Sequence, residues 1–186
     1  MQGNVPESVA AYDSLWYQDG GGKHFSSDGC TDKDVVLIRY AAVLRAVGRP
    51  KDALWAFQHA MEDTYMREGL GDVPVSTNVT IDANNLQTEE FDRATTLALG
   101  VAVTWVNRVD EAIPVLEKAV HENSGSGLPY LYLADALQRP CKQEIRKQYG
   151  SPRAAYEKAA ALGSAEVRAS AKKWLRMCAP TSPMAK

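Results

Sequence analysis

The stretch ATTLALGVAVTWVNRVDEAIPVLEKAVHE, Ala94 to Glu122, decides how the rest of the chain is read. Leu99, Gly100 and Val103 share one face of the first helix it predicts, and Ala112, Leu116 and Ala119 share one face of the second. That three-and-four spacing buries a stripe on each helix. Gly100 opposite Ala112 and Ala119 lets the two backbones approach closely. Asn107 and Arg108 make a tight polar turn between them.

The pattern returns on both sides. In VVLIRYAAVLRAVGRPKDALWAFQHAMED, from Val35, the residues Tyr40, Ala41 and Leu44 stand where Leu99, Gly100 and Val103 do, while Ala53, Phe57 and Ala60 stand where Ala112, Leu116 and Ala119 do. All six correspondences share an offset of 59 residues, which marks an internal repeat. Downstream, Leu133, Ala134 and Leu137 match at an offset of 34, and Tyr156 and Ala159 at 40, leaving six extra residues around RPCKQEIRKQYGSP.

L-G-x-x-V followed by A-x-x-x-L-x-x-A resembles the small and large packing positions of a tetratricopeptide repeat, and AAYEKAAALGSAEV resembles the related Sel1-type repeat. The family period of about 34 residues leaves about 25 inserted residues between the first two hairpins. The resemblance implies an all-α, right-handed α-solenoid of about three helical hairpins in one domain, with an N-terminal helix at 7–18, repeats at 34–66, 88–123 and 128–163, an insertion at 67–87 and a capping helix at 164–177. The first helix of each hairpin in this family lines a concave groove. The lining so implied is Val35, Ile38, Ala42 and Arg45, then Leu97, Val101, Thr104 and Trp105, then Leu131, Asp135 and Gln138. It is mostly apolar and lacks the Lys, Arg and Asn set with which some members grip a C-terminal carboxylate.

Outside the repeats, Val9, Tyr12 and Trp16 share one face of the N-terminal helix, which Asp19 and three glycines end. The insertion MREGLGDVPVSTNVTIDANNLQ alternates Val73, Val75, Val79 and Ile81 with polar residues, as a small hairpin or extended flap does. On the last helix Val167, Ala171, Trp174 and Leu175 lie to one side of Arg168, Lys172, Lys173 and Arg176, the polar-backed form of a helix that ends a stack.

At 186 residues and 45% hydrophobic content the chain can build a core, and no apolar run approaches the roughly 18–20 residues of a membrane span. The start carries no basic region followed by an apolar one, so the expected compartment is cytoplasmic, or periplasmic if a leader has been removed. Net charge is −2, but residues 1–138 hold ten basic against twenty acidic side chains, and residues 139–178 ten against three. Aromatic residues are not interleaved with the basic ones as base stacking requires, so nucleic acid is not an expected partner.

Candidate chemistry is sparse. GGGKH has no preceding strand and places His24 where a phosphate-binding loop needs Ser or Thr. Asp28, Cys30, Asp32 and Asp34 alternate like calcium ligands, yet Lys33 and Arg39 stand where an EF-hand needs Gly and Glu. Thr31 or Asp32 is better read as the cap of the next helix. Cys30, Cys141 and Cys178 form no zinc spacing; in an exported protein Cys141 with Cys178 is the pair to consider. His24, His59 and His121 have no nucleophile or acid at catalytic spacing. No catalytic residue, metal or cofactor is therefore expected. The expected function is non-enzymatic binding of an amphipathic helix or extended apolar segment of another protein, by an adaptor, assembly factor or chaperone. The alternatives are a secretion chaperone or immunity protein that masks a cognate effector, and a metal-dependent enzyme built on the loop 28–34.

Overall fold

The computed structural model describes residues 5–17, 33–61, 89–139 and 151–177, and within them the chain is all α-helical. The helices are α1 (Val5–Tyr17), α2 (Lys33–Ala46), α3 (Pro50–Met61), α4 (Glu89–Trp105), α5 (Val109–Glu122), α6 (Gly127–Gln138), α7 (Pro152–Leu162) and α8 (Ala165–Met177). Insertion 67–87 lies outside the described residues, as do Asp28, Cys30, Asp32, His24, Cys141 and Cys178.

Three pairs carry most of the packing: α2 on α3, α4 on α5 and α6 on α7. The stripes that define them are interior. Tyr40, Ala41, Leu44, Ala53, Phe57 and Ala60 are buried in the first pair, and Val103, Ala112, Leu116 and Ala119 with Gly100 in the second. Leu133, Ala134, Leu137, Tyr156 and Ala159 are buried in the third. A Cβ added to Gly100 would stand 2.6 Å from Leu116 Cγ, so only glycine permits the α4–α5 approach.

The 59-residue correspondence extends to the turns. Gly48 has φ +77° and Asn107 φ +62°, the left-handed conformation that closes a helix. The bonds Gly48 N to Arg45 O and Arg49 N to Leu44 O recur as Asn107 N to Thr104 O and Arg108 N to Val103 O, all 2.8–3.1 Å. On the far side of each turn an arginine grips an acid three residues on: Arg49 Nε donates to Asp52 at 2.7 Å, and Arg108 donates to both oxygens of Glu111 at 2.9 and 2.7 Å. Those bonds from Arg108 hold the Glu111 carboxyl below the usual carboxylate range.

Between pairs the packing is not uniform. Arg45, at the C-terminal end of α2, reaches Asp92 at the N-terminal end of α4 at 2.7 Å, and its guanidinium lies 5.7 Å from the Phe91 ring centre. Arg39, six residues earlier on α2, reaches Glu111, which the α4–α5 turn holds beside the C-terminal end of α4. A helix rises about 1.5 Å per residue, so both contacts are possible only if α2 and α4 run in opposing senses. Phe57 of α3 meets the same Phe91 at 5.9 Å. At the other end of α4, Trp105 meets Arg139, so the C-terminal ends of α4 and α6 lie together. Helix α8 packs on α7, with Trp174 stacked over Tyr156. At the other end α1 packs on α2 through Tyr12 against Tyr40, while Asp13 accepts from Tyr40 Oη and pairs with Arg49.

The shared turn yields a comparison. Gly48→Ala places a Cβ in the left-handed region and should cost about 1–2 kcal/mol, whereas Asn107→Gly should cost nothing or stabilise. Thermal unfolding followed by circular dichroism reads this as a drop of about 2–4 °C per kcal/mol for the first variant alone. A turn that tolerated alanine at 48 would contradict the shared geometry.

Candidate functional site

The helices expected to line a groove are the most deeply buried in the protein. Of the eleven residues named from the repeat pattern, Val35, Ile38, Leu97, Val101, Thr104 and Leu131 are buried, with Val101, Thr104 and Leu131 at 0% exposure. These six therefore form core and not an open apolar floor. The reason is the apolar girdle of the helices: eleven of the seventeen residues of α4 are buried, from Phe91 to Thr104, and α4 touches α2, α5 and α6. A helix apolar all round is an interior helix. Two of its three threonines bond within it: Thr104 Oγ1 donates to Gly100 O at 2.7 Å and Thr95 Oγ1 to Phe91 O at 2.9 Å.

The other five residues reach the surface in two places. Ala42 is exposed, and Arg45 is held by Asp92 over Phe91. Trp105, Asp135 and Gln138 are half-buried at the C-terminal ends of α4 and α6. There the guanidinium of Arg139 lies 5.9 Å from the Trp105 ring centre, a cation-π contact. Tyr156 Oη, on α7, lies 2.5 Å from Asp135 Oδ1 and 2.7 Å from the Gln138 side-chain amide. The Tyr156 hydroxyl faces two acceptors, Asp135 Oδ1 and Gln138 Oε1, and its one proton serves one of them at a time. The two C-terminal helix ends thus present a half-open strip: an indole under a guanidinium, next to an amide and a carboxylate held in place by a buried tyrosine. Arg139 escaped the sequence reading because it lies past a helix end, and Tyr156, on the second helix of its pair, reads in the sequence only as a packing position.

Burial, and then the nearby Asp135 charge, pushes the Tyr132 phenol well above its ordinary range. Among the described residues no group of three His, Cys, Asp or Glu is placed to hold a metal ion, and no helix is long and apolar enough to cross a membrane. Compared with known proteins, the chain matches no protein-family model, no curated protein and no solved structure.

Two outcomes follow from this burial. Leu97→Glu with Val101→Glu inserts two unpaired carboxylates into the core at about 3–5 kcal/mol each, against a whole stability of about 5–15 kcal/mol. The double variant should lose its cooperative unfolding transition, while Trp105→Ala keeps it; a folded double variant would show that this face is open after all. Tyr132, with its folded value raised, contributes stability that is fully present below its unfolded value of about 10 and is lost as pH rises beyond it. Tyr132→Phe should therefore flatten the alkaline side of a stability-against-pH curve above about pH 10.

Proposed function

We propose that the chain is a non-enzymatic protein-interaction module, a tetratricopeptide-like α-solenoid of about three hairpins whose regular run is α4 to α8, with the α2–α3 hairpin joined to it in the opposite sense. The reading is supported by the repeated pairing of helices through one set of packing positions and one turn. A single observation carries the location of binding: the strip at the C-terminal ends of α4 and α6, where Trp105 and Arg139 lie beside Asp135 and Gln138. Half-buried aromatic and Arg side chains are the kind that anchor a partner. The partner suited to it is a protein segment that lays an apolar side chain on Trp105 and hydrogen-bonds to Gln138 and Asp135. Functionally this is an adaptor, assembly factor or chaperone, in which the buried α4 serves as scaffold and the helix ends do the binding.

The test is capture of a partner from source lysate by the intact chain and by a Trp105→Ala/Gln138→Ala variant shown to unfold at a similar temperature. Loss of a central anchor costs about 2 kcal/mol or more, so the variant should retain roughly thirtyfold less partner. Equal capture by both would remove the strip as the binding site.

A further inference from the structure

We propose that the outer face of α8 is a docking surface for a second copy of this chain, which meets it with the exposed acidic face of α5. On α8 the side chains of Val167, Ser170 and Ala171 are buried and those of Trp174 and Leu175 half-buried, which turns the opposite side to solvent. Arg168, Lys172 and Arg176, all exposed and spaced four apart, form one stripe that runs from the flank beside Leu175 round to the side opposite the buried face. Like charges at this spacing repel, a cost that the place of Lys172 and Arg176 toward the C-terminal end of α8 offsets in part.

Five other arginines are paired with carboxylates: Arg39 and Arg108 with Glu111, Arg45 with Asp92, Arg49 with Asp13 and Asp52, Arg153 with Glu157; among the described residues Arg93 on α4 and Arg139 past the end of α6 are not. Among the described residues no carboxylate pairs with the α8 stripe. Arg168 donates to Gly163 O and Arg176 to Lys172 O, bonds that leave most of the guanidinium donors directed outward. The stripe carries only alanines between its charges, Ala165 and Ala169, and Trp174 is turned inward onto Tyr156. It therefore offers nothing to stack on a nucleic-acid base and no large apolar side chain to sink into a lipid surface.

The chain itself supplies a matching surface. Asp110 and Glu117 are exposed on one side of α5 and, among the described residues, carry no ion pair. They are about 10.5 Å apart along the axis, and Arg168 and Arg176 about 12 Å, at 1.5 Å rise per residue. The whole molecule is polarised in the same sense, ten basic against twenty acidic residues up to 138 and ten against three from 139 to 178. Basic α8 on acidic α5 is a head-to-tail contact: each copy is left with an unused face, and association grows with concentration instead of ending at a pair.

Sedimentation of the full chain decides it. In about 10 mM salt, where screening extends to about 30 Å, the mean mass should rise with concentration to at least double the 20.3 kDa monomer, and in about 1 M salt, where screening falls to about 3 Å, it should return to it. Arg168→Glu/Lys172→Glu/Arg176→Glu alone and Asp110→Lys/Glu117→Lys alone should each remain monomeric with unchanged helicity, and mixing the two should restore association because the reversed faces now match. A wild type monomeric at low salt overturns the proposal, including one that instead sediments with phosphatidylglycerol vesicles or with poly-dT. So does association that survives the α8 reversal, and a mixture that stays monomeric overturns α5 as the acceptor.

Discussion

The structure depends on how closely α4 can lie against α5. Gly100 has no side chain where any Cβ would run into Leu116, a side chain with no exposed surface of its own. That approach lets Ala112, Leu116 and Ala119 close over Gly100 and Val103, and it places α4 deep enough for α2 and α6 to pack on its remaining sides. A second close approach repeats the device at the third pair, where a Cβ on Gly127 would meet the backbone of Gly163 at 2.4 Å. Helix pairs drawn this tightly bury small residues and leave their hydrogen-bonding capacity to their own backbones.

What could be read in the sequence was local. Stripes of three-and-four spacing name the residues that face each other within a pair, and these are buried as expected, with Leu99 half-buried. The turn was legible too: Gly48 and Asn107 are the residue types that accept a positive φ, and they occupy equivalent places. The direction in which one pair docks on the next was not legible. It is recorded in contacts between residues far apart, Arg45 with Asp92 and Arg39 with Glu111, and no periodicity within a helix carries that information.

The same distinction explains the site. Assigning Val35, Ile38, Leu97, Val101 and Leu131 to a groove requires the first helices to stand side by side in parallel with one face open. Here α2 opposes α4, and these apolar residues are core. An apolar face cannot by itself say whether water or another helix lies against it. Trp105, Asp135 and Gln138 kept some exposure because they stand at helix ends, where packing partners run out.

Burial of α4 on all sides has a consequence for where recognition can occur. Thr95 and Thr104 return their hydroxyl hydrogens to carbonyls of their own helix, so these two polar groups are enclosed without being left unsatisfied. Between its exposed first turn and Trp105, such a helix has few donors or acceptors to offer a partner. The binding role proposed above would then fall to groups whose polar atoms point away from the packing, at the C-terminal helix ends and on outer faces. Two outer helices carry such charges: α5 exposes Asp110 and Glu117, and α8 exposes Arg168, Lys172 and Arg176. Under the proposed binding role, specificity would be a property of the rims, because tight pairing has consumed the surfaces between.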